Sequence, residues 1–116
     1  MNLQNDNLEN VILQMCAKRF DLTVDDYLNK KSNKPENVLK RHFAYYLIRK
    51  NTLLSFRAIG ELFDAEHSVV NNGYNRIEAY LTYDKRIITE INNLQKIIDN
   101  FKAEKEKSFL NQWLTQ

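Results

Sequence analysis

The fold is decided by residues 55 to 77, SFRAIGELFDAEHSVVNNGYNRI. Ser55 is a favourable N-cap, and a first short helix is predicted to begin just after it. Gly60 lies inside this helix, where the lack of a side chain would let a second helix backbone approach closely. Asp64 and Ala65 are predicted to form a tight turn. The pattern therefore predicts a helix-turn-helix.

The second helix of this motif is predicted to begin at Glu66 or His67. Its buried side carries Val70, Tyr74 and Ile77, which are spaced by four and three residues. Polar side chains then face outward, and small groups that both donate and accept hydrogen bonds are suited to base edges in a DNA groove. The outward positions are His67, Ser68, Asn71, Asn72, Asn75 and Arg76.

Length and composition favour a single all-α domain. A chain of 116 residues with only two glycines and one proline predicts helices with short connections around one core. The single cysteine, Cys16, excludes an internal disulfide and is expected to be a buried apolar residue. Because the sequence has neither a signal peptide pattern nor an apolar run long enough for a membrane span, we expect a cytoplasmic protein without membrane contact.

Basic residues concentrate in the middle of the chain. Residues 30 to 60 hold eight Lys or Arg against one Asp or Glu, whereas residues 1 to 29 and 61 to 116 carry net charges of −3 and −2. Such a block predicts a positive face suited to phosphates, although a solvated lysine-rich surface would leave the same pattern. Its basic members are Lys30, Lys31, Lys34, Lys40, Arg41, Arg49, Lys50 and Arg57.

Three further helices are predicted before the helix-turn-helix and one after it. A first helix is expected over residues 8 to 20, Thr23 is expected to cap a short second helix, and Pro35 is expected to open a third. Thr82 is the expected cap of a long C-terminal helix. We therefore divide the chain into a helix-turn-helix domain, residues 1 to 81, and a C-terminal helix with its tail, residues 82 to 116.

The C-terminal helix carries an apolar seam of its own. The seam either packs on the domain's own first helix or pairs with a second copy or another protein. A dimer would present two DNA-reading heads to paired half-sites. The partner-facing side chains would be Ile87, Ile91, Leu94, Ile98, Phe101 and Trp113.

Three blocks of the sequence resemble the DNA-binding domain of the DnaA replication initiator family. IGELFDAEHSVV, residues 59 to 70, is similar to the family's helix-turn-helix signature. RHFAYYLIR, residues 41 to 49, resembles the helix that precedes it. AKRFDLTVDDYL, residues 17 to 28, is similar to the opening helix and its Asp-Leu turn. The blocks occur in the family's order and spacing.

This resemblance implies a compact all-helical domain, related in shape to the Trp repressor, that inserts the second helix of its motif into the major groove of double-stranded DNA. The family reads bases with an acidic-His-Thr/Ser triplet at the start of that helix. The triplet carries over to Glu66, His67 and Ser68, and the outward pattern adds Asn71 and Asn72 as base-reading candidates.

Contacts with the DNA backbone are implied for basic side chains. The family's basic loop carries over to Lys30, Lys31 and Lys34, and an arginine at the start of its third helix carries over to Arg41. The positive block and the outward face supply the remaining candidates, which are Lys40, Arg57, Asn75 and Arg76.

Three positions depart from the family's pattern. The family usually has Arg or Lys before the triplet, a second Thr after it and a glycine in the turn, where this chain has Ala65, Val69 and Asp64. Residues 61 to 82 carry four acidic side chains against Arg76 alone, a net charge of −3. This charge would repel a polyanion, so the basic loop would have to offset it.

No enzyme motif accompanies these features. The sequence has no glycine-rich phosphate loop, G-x-S-x-G, C-x-x-C or H-E-x-x-H, so no catalytic residue, metal, cofactor or small-molecule substrate is expected. Because the sequence begins at its own Met1 and has no nucleotide-binding loop, we expect it to act without an ATPase module. We predict a stand-alone, sequence-specific DNA-binding domain with a regulatory or accessory role in replication or transcription. The alternative is a degenerate DnaA-like fold that acts as a protein-protein interaction module through its C-terminal helix.

Overall fold

A computed structural model describes residues 7 to 29 and 35 to 114. Within these ranges the chain forms helices and no strand, which confirms the all-α class. The helices are α1 (Leu8–Arg19), α2 (Val24–Tyr27), α3 (Pro35–Asn51), α4 (Phe56–Phe63), α5 (His67–Tyr80) and α6 (Lys85–Leu114). None of them is both long enough and apolar enough to cross a membrane.

Side-chain caps determine where the short helices begin. Thr23 Oγ1 accepts a hydrogen bond from the N–H of Asp26 at 3.1 Å, ahead of α2. Ser55 Oγ accepts one from the N–H of Ala58 at the same distance, ahead of α4. Each cap satisfies a backbone donor that has no partner inside its own helix. Both predicted caps are therefore confirmed.

The long helix α6 is capped by Asp84, so the prediction of Thr82 is wrong. Asp84 Oδ1 accepts hydrogen bonds from the N–H groups of Arg86 and Ile87 at 3.0 and 3.2 Å. The Thr82 hydroxyl instead donates to the carbonyl of Ala79 at 2.7 Å, and so helps to close the end of α5. A carboxylate is also favoured at a helix N-terminus by the helix dipole.

Helix α3 is the centre of the core, because α1, α4, α5 and α6 all pack on it. Tyr45 of α3 meets Phe63 of α4 edge to face, with the ring centroids 4.8 Å apart. On another side of α3, the buried Tyr27 of α2 donates its hydroxyl hydrogen to the carbonyl of Lys40. The core is therefore held by ring packing and by this buried hydrogen bond.

The first half of α6 belongs to the same core. Its buried side chains are Ile87, Ile91, Leu94 and Ile98, and the helix contacts α1, α3 and α5. These four side chains are therefore enclosed within the chain and are not available to a partner. This part of the seam packs on the domain itself, which was the first of the two alternatives. Of the six predicted partner-facing residues, only Phe101, which is half-buried, and Trp113, which is exposed, lie outside the buried set.

The turn between α4 and α5 depends on Gly60. A Cβ atom at this position would collide with the carbonyl oxygen of Ala65. The N–H of Ala65 donates back to the carbonyl of Gly60 at 2.8 Å, and Asp64 takes the left-handed conformation with φ 51° and ψ 46°. Asp adopts this conformation more readily than most residues other than Gly. The predicted packing role of Gly60 is thus confirmed.

A second glycine, Gly73, sets the distance between α5 and α3. A Cβ atom there would lie 2.6 Å from Cδ2 of His42 and 2.7 Å from Cδ2 of Tyr45. Gly73 was not among the residues singled out from the sequence, although a glycine in a helix interior costs about 0.5–1 kcal/mol relative to Ala. A glycine that is kept inside a helix despite this cost indicates close packing, and this signal could have identified Gly73.

His42 is a buried polar residue at this same crossing. Its side chain is 8% exposed, and its Nδ1 has no hydrogen-bond partner within the described parts of the chain. Burial lowers the pKa of His42 to about 4, and the nearby positive charges of Arg76 and Arg41 act in the same direction. The imidazole is therefore neutral at pH 7.

Replacing Gly60 by Ala tests the contact at the turn. We expect a loss of about 1–3 kcal/mol in the free energy of unfolding, because the added methyl group must displace the backbone of Ala65. Chemical denaturation followed by circular dichroism measures this change. An unhindered helical glycine would instead gain about 0.5–1 kcal/mol from the same substitution, so a stabilised variant would contradict the close contact.

The buried His42 predicts a pH dependence of stability. Its pKa is lower in the folded state than the usual 6.5, so below pH 6.5 the unfolded chain binds a proton that the folded chain does not. The free energy of unfolding should fall as the pH drops from about 6.5 to about 4, by on the order of 2 kcal/mol, which allows for partial solvent screening. His42→Gln should flatten this slope. An equal slope in both proteins would show that other groups cause it.

Candidate nucleic-acid interface

Helix α5 exposes the predicted base-reading residues at one end. It buries Val70, Gly73 and Ile77 against the core. The opposite face of its first turns, together with the N-cap, is exposed to solvent and consists of Glu66, His67, Ser68, Val69, Asn71 and Asn72. The structure therefore brings all five base-reading candidates together on the leading part of the second helix of the motif.

Most of these polar groups are available for a ligand. The side chains of His67, Ser68 and Asn72 make no hydrogen bond to any other residue that the structure describes. Asn71 Oδ1 accepts a hydrogen bond from Nδ2 of Asn75 at 3.3 Å, which aligns these two amides along the helix. The donors and acceptors of these side chains can form hydrogen bonds with base edges.

Glu66 occupies the N-cap position of α5 without making a side-chain cap hydrogen bond. Its exposed carboxylate is favoured there by the helix dipole, by about 0.3–1 kcal/mol. This residue therefore has a structural reason to be acidic that does not depend on DNA.

Arg41 and Glu66 line the same cleft, between α3 and the start of α5. The cleft has a volume of about 310 Å³, and its walls include Val38, His42 and Val69. Arg41 Nη1 donates to the carbonyl of Asn29 at 3.3 Å, which ties the start of α3 to the segment after α2. A cation thus lies at the edge of the acidic start of α5 and partly offsets its charge.

Arg76 extends this positive character along α5. Its side chain is exposed, and its charge lies close enough to His42 to lower the pKa of that residue. Because Arg41 acts on His42 in the same way, both cations lie near the crossing of α3 and α5. Arg76 follows Asn72 by one helical turn on the exposed side of α5.

The other basic residues of α3 are distributed around the helix, because successive residues project in directions about 100° apart. Lys50 lies beside α5, with its Nζ 3.7 Å from Oε1 of Glu78. Each of three cations covers a different aromatic ring, with its charged group 4.8 to 5.8 Å from the ring centroid: Lys40 over Phe20, Arg49 over Phe56 and Lys50 over Tyr74. Arg57 is exposed in the first turn of α4.

The three lysines of the predicted basic loop, Lys30, Lys31 and Lys34, lie outside the described residues. In sequence they lie between α2 and α3, so the described residues nearest to them are Asn29 and Pro35. Asn29 is the residue whose carbonyl Arg41 binds. The last described residue before the loop is therefore bound by the cation that lines the cleft.

Groups suited to metal binding or covalent chemistry do not accompany this surface. Across residues 7 to 29 and 35 to 114, no cluster of three or more His, Cys, Asp or Glu could hold a metal ion. Cys16 is buried as predicted, and burial raises the pKa of its thiol to about 12. The thiol is therefore protonated at neutral pH and is not a nucleophile.

Comparison with known proteins agrees with this geometry. Residues 10–77 match the family described as bacterial dnaA protein helix-turn-helix. The chromosomal replication initiator protein DnaA of Lacticaseibacillus casei is 36% identical over 90 residues, which are 77% of this chain and 20% of that protein. DnaA of Acholeplasma laidlawii is 29% identical over 97 residues, which are 83% of this chain and 21% of that protein. The chain thus spans about a fifth of the length of the curated relatives that it matches.

The family match contains both helices of the motif, up to Ile77, and the turn at Asp64 and Ala65 that joins them. It ends before α6 begins. This homology supports DNA binding by the helix-turn-helix. The chain therefore belongs to the family of bacterial DnaA helix-turn-helix domains.

Proposed function

We propose that this domain binds double-stranded DNA sequence-specifically, with the first turns of α5 in the major groove. The observation that carries the proposal is the row of exposed polar side chains, His67, Ser68 and Asn72, that have no hydrogen-bond partner among the described residues. In other helix-turn-helix proteins, the residues that contact bases also lie on the leading turns of the second helix of the motif.

Affinity in this proposal comes from basic groups beside α5. Contacts with phosphates supply most of the binding free energy of such domains and carry no sequence information. Since residues 61 to 82 have a net charge of −3, Arg41 and the loop lysines must supply this attraction together with Arg76. Glu66 and the polar residues after it would then select the sequence.

The biological role that we propose is regulatory or accessory, in replication or transcription, in the cytoplasm. Its support is the family membership and the names of the relatives, which are chromosomal replication initiator proteins. The second candidate is a protein-protein interaction module that no longer reads DNA. It is favoured by the acidic side chains around the turn, Glu61, Asp64 and Glu66, and by the exposed apolar side chains at the end of α6.

Two single substitutions on α5 separate base reading from phosphate binding. Asn72→Ala should weaken binding to a preferred duplex, selected from a random pool, by about 1–3 kcal/mol and leave binding to a random duplex nearly unchanged. Arg76→Ala should weaken binding to both duplexes and reduce the slope of log affinity against log salt by about 1. Fluorescence anisotropy over a series of salt concentrations measures both effects.

Lys96→Ala is the matched control, because Lys96 is an exposed cation on α6. This variant should bind like the wild type at every salt concentration. Absence of binding to any duplex at low salt would exclude the first candidate and favour the interaction module. Equal losses on both duplexes for Asn72→Ala would remove Asn72 from the base-reading set.

A further inference from the structure

The C-terminal end of α6 projects beyond the core and exposes four large apolar side chains. α6 has 30 residues, about 45 Å of helix, and the molecule measures 52 Å along its longest axis against 30 and 27 Å across. All residues from Lys102 to Leu114 are exposed. The large apolar side chains in this end are Phe109, Leu110, Trp113 and Leu114, which are 58%, 51%, 68% and 83% exposed.

A notch lies on the same helix, next to these side chains. Its walls are Leu8 of α1 and five residues of α6, it is predominantly apolar, and its volume is about 390 Å³. The α6 residues are Phe101, Lys102, Lys105, Glu106 and Phe109. Phe109 borders the notch on one side and contacts Trp113 on the other, with the ring centroids 6.3 Å apart. An aromatic knob and an apolar notch therefore lie one after the other along one helix.

We infer that this end of α6 is a self-association surface on which two copies pair antiparallel about a two-fold axis. In this arrangement Trp113 of each copy enters the notch of the other copy. A two-fold interface uses the same patch on both subunits, so a patch with both a knob and a notch is self-complementary. The surface keeps Phe101 and Trp113 of the partner-facing set predicted from the sequence and leaves out its other four residues, which the core encloses.

Charge favours a second copy over a charged partner. Residues 99 to 107 carry three basic and three acidic side chains and have no net charge. A nucleic acid or an anionic membrane would gain little long-range attraction from such a segment. A second copy requires no long-range electrostatic attraction, because the charges of its own segment are also balanced.

The exposed area is sufficient for a dimer. Large side chains of this kind bury about 150–250 Å² each when enclosed, so the exposed fractions of the four amount to roughly 500 Å² per copy. Counting both copies gives about 1,000 Å², which is the lower limit for a biological interface. The size of the interface predicts a weak, concentration-dependent dimer.

Sedimentation equilibrium of the full chain, without DNA, tests this inference. The apparent mass should rise from 13.8 kDa towards twice that value between low micromolar and several hundred micromolar protein. Because Trp113 is the only tryptophan, its fluorescence emission should move to shorter wavelength over the same range. Phe109→Asp and Trp113→Ala, both at exposed positions, should raise the dimer dissociation constant at least roughly tenfold.

Leu53→Asp is the matched control, because Leu53 is a fully exposed apolar residue in the loop between α3 and α4. This variant should associate like the wild type. A mass of 13.8 kDa throughout the range, a mass above that of a dimer, or association that survives both Phe109→Asp and Trp113→Ala would overturn the inference. None of these outcomes depends on DNA binding.

Discussion

The arrangement of the motif depends on how closely α5 approaches the helices beneath it. Two glycines permit this approach, Gly60 where the turn meets α4 and Gly73 where α5 crosses α3. At both points a single methyl group would collide with neighbouring atoms, so those atoms would have to shift or α5 would have to move away from the core. The exposed polar residues of α5 would move with it, because they are part of the same rigid helix.

This close crossing also explains the buried histidine. His42 and Tyr45 form the surface of α3 that Gly73 approaches, and their rings are 5.7 Å apart between centroids. A neutral imidazole can be enclosed there, whereas a charged one would need water or a counter-ion. The two nearby cations, Arg41 and Arg76, reinforce the neutral state. The two arginines that we propose as phosphate contacts therefore also favour the uncharged form of His42.

Much of the motif could be predicted from the sequence because its signals are local. Ser55 and Thr23 are recognisable caps, and the positive φ of Asp64 agrees with its place in a tight turn. Thr82 was a wrong choice of cap because a second capping residue, Asp84, follows two positions later, and only the geometry at the end of α5 decides between them. Local sequence patterns therefore predict reliably that a helix exists, but they predict its first residue less reliably.

Features that depend on how helices face one another could not be predicted. The positive block is continuous in sequence, but its members on α3 project in different directions and cover three different rings. The apolar seam of α6 is likewise continuous in sequence, although the core encloses Ile98 and leaves Trp113 exposed. The point at which α6 leaves the core follows from the packing of α1, α3 and α5 against it, which periodicity alone does not contain.

The central claim, that the leading face of α5 is the DNA-binding surface, is tested most directly by an NMR titration. Amide resonances of the ¹⁵N-labelled chain would be followed as duplex DNA is added. If that face binds DNA, the largest chemical-shift changes should fall on residues 66 to 76 and on Arg41, with little change between Lys102 and Leu114. Changes concentrated in the end of α6, with α5 unaffected, would contradict it.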